Sequence, residues 1–506
     1  MSINRIAILG GGTAGWLAAN HLGFELSKNE NIEITVLESE DVPSIGVGEG
    51  SVPFIQNSLK KFGISEAKFL HECDATFKQG IKFVNWLDEN EHGQNYYYHP
   101  FDVPEVQGYS ITPYMLSSEH PFHDVGIQAR VCELGLSPKL KSDGPYQGAL
   151  SYAYHFDAAK FAKLLSDNAM RRFSVCHKVE TIIDATLTSS GEIDELITKS
   201  GERLAFDFYI DCSGFSSLLI DKMMNTPFVA KDKELLTDRA LVQQVPLQEG
   251  AEIKPYTTAT AHKAGWIWDI PLTTRRGTGF VYSSKYMSDA EALEAYASYL
   301  KVDPIALSPR KIDMKMGYRK VFWNKNCVAL GLAQGFVEPL EATSILLTDF
   351  SAELLSRNFP LTNEEISFLS DHFNEAVTYA WDKTVDFIKL HYCISDRTDS
   401  EFWAQNRQLN NSSEELKRRL NKFQIRPPIQ SDFFSRFDLF SHNNYLYVLY
   451  GMKYKTAKPN LDLQEEKQCV NLFYSNAALL TQAKQHLMSH KDWLSELNKA
   501  MSKTKS

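Results

Sequence analysis

The 506-residue chain predicts an α/β protein with a doubly wound parallel sheet, a mixed β middle region and a mainly helical C-terminal part. Three observations carry this. The apolar run NRIAIL, residues 4–9, ends in Gly10, Gly12 and Gly15 and leads into a helical run from Trp16 towards Leu26. A second apolar run, IEITVLES, follows with Glu38 near its end, completing a strand–turn–helix–strand unit. Much later, NCVALGLAQGF at 326–336 again runs from a strand pattern into a glycine turn.

The first unit has the G-x-G-x-x-G spacing in the context where it signifies a dinucleotide. Its glycines allow a tight turn and close approach to a pyrophosphate, and the following helix N-terminus attracts that charge. Gly10, Gly12, Thr13, Ala14 and Gly15 are therefore candidate cofactor contacts, and Glu38 is a candidate ribose acceptor. Taken alone the motif leaves NAD and FAD open. The late strand–glycine segment returns to the same cofactor and favours FAD, giving a Rossmann-type, flavin monooxygenase-like core.

The remaining elements follow in order. IGVGEGSVP, residues 45–53, is a glycine-rich loop, and YAYHFDAAKFAKLL at 152–165 alternates like a strand before it turns helical. FYIDCSGFSSLL at 208–219 is a strand ending in a turn. Residues 235–320 are rich in Thr, Val and aromatics with turn signals such as RRGTG, and read as mixed β. Within them GWIWDIP places Trp266 and Trp268 on one strand face. Residues 396–506 read as mainly helical and cover a module spanning 1–395, with a frayed tail at KAMSKTKS.

A hydrophobic share of 43% and a charged share of 23% are ordinary for a globular protein. Net charge of -10 argues against coating nucleic acid or an anionic membrane. Seven scattered cysteines without a C-x-x-C pair argue against a disulfide framework or a zinc site. No signal peptide and no membrane-length apolar run is read, so a cytoplasmic, metal-free protein is expected.

Five segments, in order along nearly the whole chain, are GGGTAGW, IGVGEGSVP, TFKQGIKF, GWIWDIP and GLAQGFVEPLEATSI. Together they resemble the flavin-dependent halogenases of the tryptophan-halogenase type. The resemblance implies an enzyme that takes reduced FAD from a separate NAD(P)H-dependent flavin reductase. With oxygen and chloride or bromide it makes hypohalous acid, which crosses a tunnel and halogenates an electron-rich aromatic ring. A homodimer is left open.

By the same resemblance Lys78 engages the hypohalous acid, as an ammonium or as a haloamine, and Glu341 stabilises the cationic ring and takes its proton. Lys82 and Glu338 are the nearest alternatives to these two. Backbone amides of Thr343 and Ser344 are expected to hold the halide; Ala342 stands where many tryptophan-specific members carry serine. Gly48 and Glu49, with Leu332 and Gly335, match flavin-contacting segments. His99, Pro100 and Phe101 match a segment that sandwiches the substrate ring, with Phe440 at the position of a family tryptophan. Trp266 and Trp268 are expected to form a wall that keeps the organic substrate away from the flavin while a halide passes.

The resemblance weakens at 427–452. A family Tyr pair falls near Pro428 and Ile429, and a glutamate near Ser435. The groups that fix an amino acid's ammonium and carboxylate are thus absent, and an indole, a phenol or a larger aromatic is expected in preference to free tryptophan. Phe433, Phe434, Phe437, Leu439 and Phe440 suggest an apolar, roomy site or, more simply, core. The rival readings are an aromatic hydroxylase, a flavin-binding protein without catalysis and, more distantly, a nicotinamide dehydrogenase.

Overall fold

The strand Arg5–Leu9 lies inside a six-stranded sheet, parallel to Glu33–Glu38 on one side and to Phe208–Asp211 on the other. Its last four residues are buried, as a strand covered on both faces requires. Cys176–Val179 extends one edge in parallel, and Cys327–Ala329 extends the other, followed by the short antiparallel Trp323–Asn324. The computed structural model describes residues 2–41, 48–248 and 250–503. Residues 45–47 of the IGVGEGSVP segment lie outside the described residues.

Side-chain alternation splits the sheet's faces. Ile6, Ile8 and Val36 join a cluster with Trp16 and Leu17 of the helix Thr13–Leu26. That helix packs between Ala158–Phe173 and Thr343–Arg357. Ala7, Leu9, Leu37 and Tyr209 face the other way, onto Ile182, Ile193 and Leu196. Those residues belong to an antiparallel meander, Ile182–Leu187, Ile193–Thr198 and Arg203–Ala205, so helices cover one face and a small sheet the other.

The mixed β region forms most of a seven-stranded sheet. From one edge it runs Arg310–Asp313, Arg239–Pro246, Arg275–Tyr282, Gly265–Pro271, Thr257–His262, Gly80–Val84 and Tyr96–Pro100. A smaller three-stranded sheet sets Ala153–Asp157 between Gly48–Gly50 and Thr76–Lys78. Helices dominate after 340, among them the 28-residue Ile366–Cys393. One hydrophobic cluster takes in Ile6, Trp266, Phe387, Trp403 and Tyr445, so the C-terminal segment shares its core with the rest. The final helix, His490–Lys503, runs through most of the segment expected to fray.

Candidate active site

Because the central strands are parallel, their glycine turns gather at one edge of the sheet. A Cβ on Gly10 would lie 2.2 Å from the Cys212 carbonyl oxygen, and one on Gly331 would lie 2.5 Å from the Cβ of Ala14. The early and late glycine segments therefore meet. Gly12 precedes the first helix with no side chain capping it, and a Cβ there would meet open space. Uncapped amides facing open space fit a pyrophosphate. The Oε2 of Glu38 lies 2.9 Å from Nε2 of His177, so one oxygen of the candidate ribose acceptor is already engaged. Leu332 belongs to a single turn after Cys327–Ala329, and Gly335 follows it within hydrogen-bonding reach of Tyr318 across a short ladder.

Lys78 ends the strand Thr76–Lys78 and is 1% exposed. Its Nζ donates to the Ser51 carbonyl at 3.0 Å and lies 5.4 Å from the Phe101 ring centroid. An ammonium has three N–H donors, so two remain for a ligand. Gly50 makes the room: a Cβ there would stand 3.4 Å from Nζ. Burial pulls the amine down to about 8, against the field of Glu341, which favours the charged form. Lys82 lies on the separate strand Gly80–Val84, its ammonium 3.9 Å from the Tyr96 ring. The two lysines thus occupy different sheets.

Glu341 is 3% exposed. Its Oε1 lies 2.8 Å from Nδ1 of His99 and 3.0 Å from Nε2 of His391. Burial pushes this carboxyl up, but His99 and His391 outweigh burial and hold it at about 2. It makes no direct ion pair with Lys78 among the described residues, but its field acts on that amine. Ala342 follows with φ 56° and ψ 36°, a left-handed residue directly before the helix Thr343–Arg357. No side chain caps this helix start, so the first amides, those of Thr343 and Ser344, have no capping partner there. Ser344 also lines a narrow cavity with Gly331, Gly335 and Thr348.

Trp266 and Trp268 share a face of the strand Gly265–Pro271, their ring centroids 6.2 Å apart. The Trp266 indole N–H donates to Oε2 of Glu338 at 3.3 Å, and the Thr237 hydroxyl donates to the same oxygen. Glu338 therefore braces the tryptophan wall, and burial pushes its carboxyl up. Gly48 packs against Ile270 and Gly277 on this strand pair, with Glu49 beside it. His99 lies 6.1 Å from the Phe387 ring and 6.0 Å from that of Tyr447, and Phe440 stacks on Phe387 at 4.1 Å. Pro100, opposite Gly80, ends the strand that delivers His99 to Glu341.

Residues 5–466 match the family model for tryptophan halogenase. The chain belongs to the tryptophan halogenase family. The tryptophan 7-halogenase of Kutzneria sp. (strain 744) is 36% identical over 428 residues, covering 80% of this chain and 79% of the relative. The tryptophan 7-halogenase of Lentzea aerocolonigenes is 32% identical over 482 residues, 89% of each chain. The crystal structure of a tryptophan halogenase from Shewanella frigidimarina superposes with a TM-score of 0.94 at 35% identity, covering 98% of both chains. The protein is accordingly an enzyme of the flavin-dependent halogenase type, and the open glycine cradle is the place where its residues would hold FAD.

In this tryptophan halogenase family member, charged side chains around residue 426 pair with one another. Asp432 is buried and engaged by Lys422 and by both terminal nitrogens of Arg426. Arg419 is taken up by Glu415 and Tyr445. The Ile429 amide donates to Oδ2 of Asp432, and the side chains of Ile429 and Phe434 are exposed. The expected apolar cluster does not form one roomy site. Phe440 joins the core on Phe387, Phe433 lies against Tyr445, Phe437 lies against Phe350, and Phe434 points to solvent. Alternate short turns send successive side chains in different directions.

Four residues of the site were not legible in the sequence: His391, Asn444, His155 and His490. His155 and His391 stand singly among mostly apolar neighbours, Asn444 and His490 stand in ordinary polar helix starts, and neither context carries a spacing signal. His155 lies between Thr76 and Thr257, 3.0 and 2.9 Å away, beside Lys78. Burial and then the lysine's charge drive it well below its ordinary value, so it adds no charge there. No helix among the described residues is long and apolar enough to cross a membrane, and no metal-binding cluster occurs among them.

Proposed function

We propose that this enzyme halogenates an electron-rich aromatic of indole or phenol type, in preference to free tryptophan, using chloride or bromide, oxygen and reduced FAD from a separate NAD(P)H-dependent reductase in the cytoplasm. Reduced FAD, when bound, would supply the two electrons that bring oxygen to the peroxide level, the oxidant that takes two electrons from the halide to give hypohalous acid and water. The amides of Thr343 and Ser344 hold the halide. Trp266 and Trp268 screen the flavin side from the organic substrate. Lys78 then donates its free N–H groups to the hypohalous acid and raises its electrophilicity. Phe101 and His99 flank the ring. Glu341, held as a carboxylate, stabilises the cationic ring and takes its proton.

One observation supports this reading: a lysine with free donors and a carboxylate, both buried and from distant parts of the chain, lie near enough for the carboxylate's field to favour the ammonium. The relatives' names point to an indole ring. The preference against free tryptophan is supported by Pro428, Ile429 and Ser435 at the expected amino-acid-binding positions, and by the mutual pairing of Arg426, Lys422 and Asp432.

The test is an aerobic assay with a flavin reductase, FAD, NADH and bromide, offered indole, a phenol panel and tryptophan, and read by mass spectrometry. A bromine isotope doublet on indole or a phenol is expected, stronger than on tryptophan and lost in Lys78→Ala. A product carrying oxygen in place of bromine would select a hydroxylase. Tryptophan as the best substrate would overturn the specificity.

A further inference from the structure

Gly50 borders two buried polar groups. A Cβ built there would stand 3.4 Å from Nζ of Lys78 and 3.6 Å from Oγ1 of Thr257, with the His155 ring next at 3.7 Å. These are ordinary contact distances, so an atom in this space touches the amine and the hydroxyl together. The two side chains arrive from different sheets, Lys78 from the strand Thr76–Lys78 and Thr257 from the strand Thr257–His262.

The hydroxyl is fixed from behind. Oγ1 of Thr257 lies 2.9 Å from Nε2 of His155, and Nδ1 of that ring lies 3.0 Å from Oγ1 of Thr76. The Thr76 hydroxyl donates to the Pro271 carbonyl at 2.7 Å. A hydroxyl has one hydrogen, so Oγ1 of Thr76 accepts from Nδ1. This chain of bonds runs from the end of the tryptophan strand Gly265–Pro271 to Thr257 and holds Oγ1 in place.

The bond to His155 uses either the hydrogen of the Thr257 hydroxyl or one of its lone pairs. In both cases at least one lone pair stays free to accept. Lys78 offers donors, and the Ser51 carbonyl is already engaged by it. Glu341 makes no ion pair with Lys78 among the described residues, and its Oε1 is taken by His99 and His391, with Asn444 3.0 Å from the far nitrogen of His99. Thr257 is therefore the acceptor that stands beside the amine.

We propose that Thr257 is a second catalytic contact for the hypohalous acid: its Oγ1 accepts the acid's O–H while Lys78 donates to the acid's oxygen. This rests on the reading of Lys78 as the group that receives that acid. Hypohalous acid has one O–H donor, one accepting oxygen and a halogen. Held at the first two, it presents the halogen as its free end. Both contacts are hydrogen bonds, so no covalent bond forms or breaks in this step. Lys78 alone would leave the O–H unpaired in a buried place and the acid free to swing or escape. An alcohol also survives the oxidant, where a thiol or thioether would be consumed.

The experiment follows where the oxidant goes. Wild type, Thr257→Val, Thr257→Ser, Gly50→Ala and Lys78→Ala are each run with flavin reductase, FAD, NADH, bromide, catalase and indole, and with a soluble 1,3-diketone that traps free hypobromous acid. Gly50→Ala keeps Thr257 and its bonds but fills the space beside them. FAD binding, read by fluorescence, shows that each protein is folded. In Thr257→Val and Gly50→Ala the ratio of trapped bromine to bromoindole is expected to rise about fivefold, the worth of roughly one hydrogen bond, with KM for bromide unmoved. Thr257→Ser, which keeps the hydroxyl, is expected to return the wild-type ratio. A wild-type ratio in Thr257→Val, or an equal rise in Thr257→Ser, overturns the proposal. If Thr257→Val does not bind FAD, Gly50→Ala decides, and a wild-type ratio there overturns it. Either failure leaves the reading of Lys78 standing as long as Lys78→Ala loses bromoindole. Undiminished bromoindole in Lys78→Ala would sink that reading itself.

Discussion

The Phe77 amide donates to Nε2 of His490 at 3.0 Å, and Nδ1 of that ring reaches the Ile253 carbonyl at 2.8 Å. The first turn of the C-terminal helix thereby clamps the strand that ends in Lys78. Trp493 packs edge-on against Phe77 and closes the joint.

His490→Ala leaves two buried backbone groups without partners, at roughly 1–3 kcal/mol each. A marked drop in the urea midpoint is expected, with part of it restored in His490→Gln. Burial also lowers His490 to about 4. Between pH 6.5 and 4 the unfolded chain binds the proton and the folded chain resists it, so stability falls as pH falls through that window. His490→Gln should flatten this slope; an unchanged slope would disprove the clamp's contribution.

Lys78 gives the opposite limb. With its amine lowered from 10.5 to about 8 by burial, the folded state disfavours the charged form. Between pH 8 and 10.5 the unfolded chain carries more protons, so stability rises with pH there. Lys78→Met is expected to be more stable than wild type at pH 7, by on the order of 3 kcal/mol, and to lose that advantage by pH 10.5. Halogenation should decline as pH rises above 8, because Lys78 acts through its N–H donors. A rate that increases across pH 8 would instead identify the neutral amine as the active form.

Gly279 is fixed by Trp268. A Cβ at Gly279 would stand 2.2 Å from the indole ring. Gly279→Ala should displace the indole and cost about 1–3 kcal/mol as overpacking. Opening the wall is expected to lower halogenated product per NADH consumed at least twofold, measured with the reductase in excess. Unaltered coupling would show that the wall does not depend on Trp268.

Ala342 adopts the left-handed conformation at a cost of about 1–2 kcal/mol. Ala342→Gly removes the strain, and a rise in Tm of about 1–2 °C is expected by calorimetry. A fall in Tm would mean that the backbone there is not held left-handed in solution.

The sequence alone identified the strand–glycine–helix unit and the tryptophan strand, because each is a local pattern, and it singled out Lys78 and Glu341 as candidates by their place in contiguous motifs. It also placed Trp266 and Trp268 on one face, since strand alternation is a property of the backbone. Other features needed the tertiary structure. Lys78 and Lys82 look alike in TFKQGIKF and separate only because a break at Gln79 sends them to different sheets. The aromatic cluster after 432 left a roomy site and plain core both open; the structure places Phe440 in the core with Phe433 and Leu439 packed on it, and leaves Phe434 exposed. His391, Asn444 and His490 acquire their roles from partners far away in the chain. Hydrogen-bond geometry across such distances is fixed by packing, and no pattern of residue types along one strand or helix encodes it.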